Sequence, residues 1–152
     1  MELLTEGSDT MSHPPRIPVL LPDDQPVIYF MTLCVTSRRK VFANPPAWTA
    51  IRAAITRLER WHTCAAIAMP DHVHVLVAPH DRNASPGEYS KWFKRHVRQH
   101  LNARWQWQAG CFDRLLRGNE SAQEKWEYIR ENPVAACLVS RWQDWPYQYG
   151  FD

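Results

Sequence analysis

At 152 residues, the chain is sized for one domain with a real hydrophobic core. Its 45% apolar share is ordinary for a globular protein, and no apolar run approaches the length of a membrane span. Net charge is only +2, but residues 1–36 carry five acids against one base, and residues 91–117 carry seven bases against one acid. That basic block suggests a polyanionic partner, with a solvated helix face as the alternative. The N-terminus lacks the basic start and long apolar stretch of a signal peptide, so a cytoplasmic location is expected. The four cysteines form no C-x-x-C pair, which disfavours a zinc knuckle. Cys64 lies near His62 and His72 in sequence, which leaves a structural zinc site conceivable.

Residues 1–25 are rich in proline and polar residues without a clear period, and read as a loose N-terminal arm. Residues 26–152 read as a single domain. Val27 to Thr36 is β-branched and aromatic, a buried strand. Ser37-Arg38-Arg39-Lys40 follows as a basic turn. Asn44-Pro45-Pro46 caps and starts a helix, in which Trp48, Ile51, Ile55 and Leu58 recur at helical spacing to about Arg60. Thr63 to Ala68 and His72 to Ala78 are two strands joined at Pro70-Asp71, a hairpin that sets the second of them inside an antiparallel sheet.

Ser85-Pro86-Gly87-Glu88 is a capping box with proline at the first helical position. In the helix that follows, Tyr89, Trp92, Phe93, His96, Val97 and Leu101 share one side. Lys91, Lys94, Arg95 and Arg98 share the opposite side and are candidate phosphate contacts. Cys111 to Leu116 is a fourth strand or an extended loop. Arg114 and Arg117, outside the helix, are candidates for base-edge or hairpin recognition. Ser121, with Glu124 three residues on, caps a last helix running to about Asn132, and Trp142 to Phe151 is an aromatic tail without clear period. The element order predicts an α+β fold, an antiparallel sheet with helices packed on one face.

Two features carry chemistry. His72 and His74 alternate with Val73 and Val75, so both imidazoles leave the same face of the strand while the valines cover the other. Two imidazoles side by side can hold a divalent metal, whereas a core would have to satisfy four ring nitrogens. In the last helix, Ala122, Trp126, Ile129 and Pro133 fall within a sector of roughly 60° at about 100° per residue. Tyr128 lies well away from that stripe, and Asn132 is one turn later on the same side. A phenol and a carboxamide therefore project together, off the core.

With these residues in place, the chain resembles the HUH single-tyrosine transposases, and among them the REP-associated tyrosine transposases. The matching segments are Tyr29-Phe30-Met31-Thr32 and its basic turn, Met69-Pro70-Asp71-His72-Val73-His74, Gly110-Cys111-Phe112-Asp113-Arg114 with Arg117, Tyr128-Ile129-x-x-Asn132-Pro133-Val134, and Trp145-Pro146. They span roughly residues 27–147. The resemblance implies a ferredoxin- or RRM-like HUH fold. It also implies a Mg²⁺ or Mn²⁺ ion held by His72, His74 and, as third ligand, Asn132, with Tyr128 as nucleophile. The implied activity is cleavage and rejoining of single-stranded DNA near a hairpin through a 5′-phosphotyrosine. Two other readings stand beside it: a non-catalytic nucleic-acid-binding regulator on the same sheet, and an HUH replication initiator or relaxase. A monomer and a homodimer are both compatible with the sequence.

Overall fold

The computed structural model of the chain describes residues 26–116 and 121–151. The predicted N-terminal arm and Arg117 lie outside the described residues. The elements run β1 (Tyr29–Cys34), α1 (Pro45–Arg57), β2 (Trp61–Met69), β3 (His72–Pro79), α2 (Pro86–Leu101), β4 (Phe112–Leu115), α3 (Ala122–Ile129), α4 (Asn132–Ala135) and β5 (Gln148–Tyr149). The sheet order is β4-β1-β3-β2-β5, antiparallel at every pairing. The first six elements form the split βαββαβ pattern of ferredoxin-like folds, with β3 inserted between β1 and β2. The α+β sheet predicted from the sequence is thus the observed one. No helix among the described residues is long and apolar enough to cross a membrane.

Alternation along the strands sorts the sheet into two faces. Tyr29, Met31 and Leu33 of β1 join Val73, Val75 and Val77 of β3 under Ala47, Ala50, Ile51 and Ala54 of α1 and Tyr89, Phe93 and Val97 of α2. The two long helices therefore share one face, as expected. The other face is not left bare. Ala65, Ile67 and Leu76 pack there against Leu116, Trp126 and Ile129, with Trp145 from the aromatic tail. That tail, read from sequence as irregular, supplies β5, and Trp145 Nε1 donates to the Ala68 carbonyl oxygen at 3.0 Å. A two-residue strand holds too few residues to show a period-two pattern.

The caps behave as their chemistry dictates. Asn44 Oδ1 accepts from Ala47 N at 3.0 Å, Ser85 Oγ from Glu88 N at 3.4 Å, and Ser121 Oγ from Gln123 N and Glu124 N at 3.1 and 3.2 Å. Several boundaries differ from expectation. The first strand stops at Cys34, and residues 36–38 form a 3-10 turn in which Ser37 and Arg38 take positive φ, 60° and 52°. The last helix does not run unbroken to Asn132. It ends at Ile129, passes through Arg130 and Glu131 with ψ near zero, and restarts as α4. Pro133 lacks the N–H that would bond back to Ile129, so the turn flattens there rather than stopping.

Candidate active site

Met69 pairs with His72, so Pro70 and Asp71 alone make the β2–β3 turn and His72 opens β3 immediately after it. His72 and His74 leave the sheet on the face opposite α1 and α2, their ring centroids 4.7 Å apart. A neighbouring strand holds one ring and the adjoining turns hold the other. Thr32, directly opposite His74 on β1, places its Oγ1 2.9 Å from His74 Nδ1. Asp71 Oδ1 lies 2.7 Å from His72 Nδ1, and Asp71 Oδ2 accepts from Arg38 Nε at 2.9 Å. Arg38 Nη2 also approaches His72 Nδ1, at 3.3 Å. A guanidinium can only donate, so the shorter contact to the carboxylate fixes the proton on Nδ1. His72 Nε2 is left with a bare lone pair. The same follows for His74 in the tautomer that donates from Nδ1 to Thr32. An Nδ1–H held by an oxygen and a free Nε2 is how imidazoles are prepared as metal ligands.

Charge agrees with geometry. Burial, with help from His72 and Lys125, depresses the His74 pKa to about 3. Burial also lowers His72, against the opposing pull of Asp71. Both rings are therefore neutral at neutral pH, the form a metal requires. Burial alone would raise the Asp71 carboxyl, but hydrogen bonds from His72 and Arg38 outweigh it and hold the group below the usual carboxylate range. The left-handed backbone at Ser37 and Arg38 costs roughly 1 kcal/mol per non-glycine residue and delivers the guanidinium to Asp71.

The tyrosine comes to the same face. Trp126 and Ile129 are buried against the sheet, and Tyr128, off that stripe, is 73% exposed. Lys125, one turn earlier, connects it to the histidines: its Nζ lies 5.5 Å from the Tyr128 ring centroid and 4.6 Å from that of Phe30. The Phe30 ring in turn packs 5.2 Å from that of His74. Asn132 opens α4, half-buried, and its carboxamide makes no hydrogen bond to another described residue. Among the described residues, no three His, Cys, Asp or Glu side chains gather as a metal site, which leaves the Cys64 zinc idea without support. A metal on the histidine pair therefore needs a ligand of another type, and an uncommitted carboxamide oxygen is one.

The four basic residues predicted to contact phosphate lie elsewhere. Tyr89, Phe93 and Val97 seat α2 on the face opposite the histidines. Lys94 Nζ donates to the carbonyl oxygens of Gln108 and Gly110 at 3.0 and 2.6 Å. Arg98 donates to those of Trp105 and Ala103 at 3.1 and 3.2 Å. These two cations pin the 103–110 segment rather than extending into solvent. Lys91 and Arg95 flank the ring of Trp92, at 5.7 and 5.4 Å. Trp92 and His96, placed by periodicity with the core side, flank the buried stripe instead of joining it. Arg114 stands opposite Phe30 on β4 and so belongs to the histidine face. Thr32, Asp71 and Arg38 stand within the matched segments without an assigned role, and Lys125 stands outside them. The -Asp71-His72- neighbours and the basic turn were visible signals, but Thr32 and Lys125 follow only from strand register and helix docking.

No family model and no curated protein sequence matches the chain. Solved structures do. A REP-associated tyrosine transposase bound to a REP hairpin superposes with a TM-score of 0.74 at 19% identity, over 91% of this chain and 82% of that one. A candidate transposase from Deinococcus radiodurans aligns over 78% of this chain and 96% of its own, at 18% identity and a TM-score of 0.48. The chain has the fold of the REP-associated tyrosine transposases.

Proposed function

We propose that the protein is a metal-dependent single-stranded DNA nicking and joining enzyme, a transposase acting beside hairpin DNA. One observation supports this most directly. An exposed phenol on α3 is linked through the Lys125 ammonium and the Phe30 ring to a pair of neutral imidazoles with uncommitted nitrogens. The REP hairpin bound by the structural neighbour suggests the substrate class.

In this reading, His72, His74 and Asn132 would hold Mg²⁺ or Mn²⁺, which supplies charge neutralisation and orientation of the scissile phosphate. Thr32 and Asp71 fix the two rings, and Lys125 adds a positive charge beside the nucleophile. The Tyr128 oxygen loses its proton and attacks phosphorus in line. A phosphorus–phenol oxygen bond forms, the bond to the 3′ oxygen breaks, and that oxygen takes up a proton to leave as a 3′-hydroxyl. The 5′-phosphate remains on Tyr128. Attack by a 3′-hydroxyl reverses the step, so joining consumes no nucleotide triphosphate.

The test is a denaturing gel of protein, Mg²⁺ or Mn²⁺ and end-labelled single strands that contain a hairpin. A covalent protein–DNA band is expected. It should vanish in Tyr128→Phe, while hairpin binding by that variant stays within a few fold. Hairpin binding by the wild-type chain without any adduct would replace this reading with that of a non-catalytic DNA-binding regulator. An undiminished adduct in Tyr128→Phe would move the nucleophile elsewhere.

A further inference from the structure

The edge of the histidine face carries a cleft that the proposed chemistry leaves unused. Thr32 pairs with Phe112, and Val35 bridges to Trp107. Three steps on one side, 32 to 35, therefore face five on the other, 107 to 112, and the two extra residues push 108–111 outward as a bulge. Gly110, at φ 74°, makes the turn. Gln108 N donates to the Cys34 carbonyl oxygen at 2.8 Å, and Lys94 holds the Gln108 and Gly110 carbonyls, so the bulge is tied down at both ends. The space it opens is a cleft of about 90 Å³ lined by Thr32, Cys34 and residues 108–112.

Three properties say what the cleft would take. Its size suits one planar ring and not a duplex. Its rim holds Phe112, an aromatic side chain left 66% exposed on a strand whose partner residues face the histidines. Its wall is shared with the histidine site, because the Thr32 that lines the cleft is the residue bonded to His74. A strand whose phosphate sits at the histidines would carry its neighbouring nucleotide past this opening. The geometry points to a nucleobase pocket: the cleft receives one unpaired base next to the cleaved bond, stacked on Phe112, with the peptide edges of Ala109 and Gly110 beside it. This inference rests on the reading of the histidine face as a DNA-cleaving site and names which part of the strand that site grips.

Abasic scanning of the nucleotides flanking the cleaved bond tests it. With the wild-type chain, loss of the base at one position should slow adduct formation roughly tenfold, the scale of one aromatic–base stack. In Phe112→Ala that penalty should disappear with the intact substrate slowed to match, whereas Phe112→Tyr should restore it. Penalties at other positions should be unchanged in both variants. An undiminished position-specific penalty in Phe112→Ala, or no penalty adjacent to the bond, overturns the pocket. A binding arm separates failure of the pocket from failure of the enzymatic reading. Tyr128→Phe is titrated with single strands that carry 2-aminopurine beside the hairpin foot. Quenching that is lost on adding Phe112→Ala supports the pocket even without cleavage, and quenching indifferent to Phe112 overturns it.

Discussion

Replacing Lys125 with methionine is the perturbation that best separates a built active site from a chance meeting of motifs. The side chain keeps its apolar stem on Phe30 and loses only the charge. The ammonium lies 5.5 Å from the centre of the Tyr128 ring. At that separation, a unit charge developing on the phenol gains about 3 kcal/mol at an effective dielectric of 20. Tyr128 is largely exposed, so solvent screening reduces this to about 1.5 kcal/mol. Lys125→Met should therefore slow single-turnover adduct formation on the order of tenfold. The lost contacts to two aromatic rings lower stability by about 1 kcal/mol, which leaves the protein folded. Lys125→Arg keeps the charge and should retain the wild-type rate within a few fold, whereas a purely structural role would not discriminate the two variants by charge. A wild-type rate in Lys125→Met, with hairpin binding intact, refutes the electrostatic link between α3 and the histidines.

Asp71→Ala frees the Nδ1 proton of His72 and should weaken Mn²⁺ binding ~10–100-fold, measured by titration of the metal into the DNA-free protein; unchanged affinity would mean that Asp71 serves only Arg38. The His74 pKa, depressed from 6.5 to about 3, means that the unfolded chain binds a proton that the folded chain refuses throughout that interval. Its contribution is therefore present above about pH 6.5 and lost on acidification, by about 2 kcal/mol between pH 7 and pH 5. Urea unfolding of His74→Asn should show a correspondingly shallower pH dependence than wild type, and an identical dependence would contradict the buried neutral ring. Lys94→Met removes two charged hydrogen bonds and should cost about 2 kcal/mol or more of stability without altering the salt dependence of DNA binding; a shallower salt slope would restore Lys94 as a phosphate contact.

Much of the fold was legible because local chemistry and global pattern agreed. Asn44, Ser85 and Ser121 announce their helices through caps that need only three residues of context. The alternation in Val73, Val75 and Val77 announces a strand with one buried face. Illegible parts depend on partners distant in sequence. β5 is two residues long and exists because β2 offers it an edge. Trp145 is buried because Ala68, 77 residues away, presents a carbonyl to its indole. The helix end near Pro133 was misjudged because a proline at the start of a new turn and one that ends an old turn remove the same N–H.

The site divides along the same line. The histidines and Tyr128 could be placed from period alone, since each argument concerned one element. The basic residues of α2 could not, because period says which side of a helix a side chain leaves and not what waits there. Lys94 and Arg98 are long enough to reach back to the 103–110 main chain, where five-donor and three-donor head groups meet carbonyl oxygens at 2.6 to 3.2 Å. Lys94 ties down the bulge beside the histidines, and Arg98 ties down the 103–105 segment that leads into it. The basic block read from composition as a binding surface is therefore partly scaffold. The positive charge beside the proposed nucleophile, Lys125, stands outside that block, and its place follows only from the docking of α3 across Phe30.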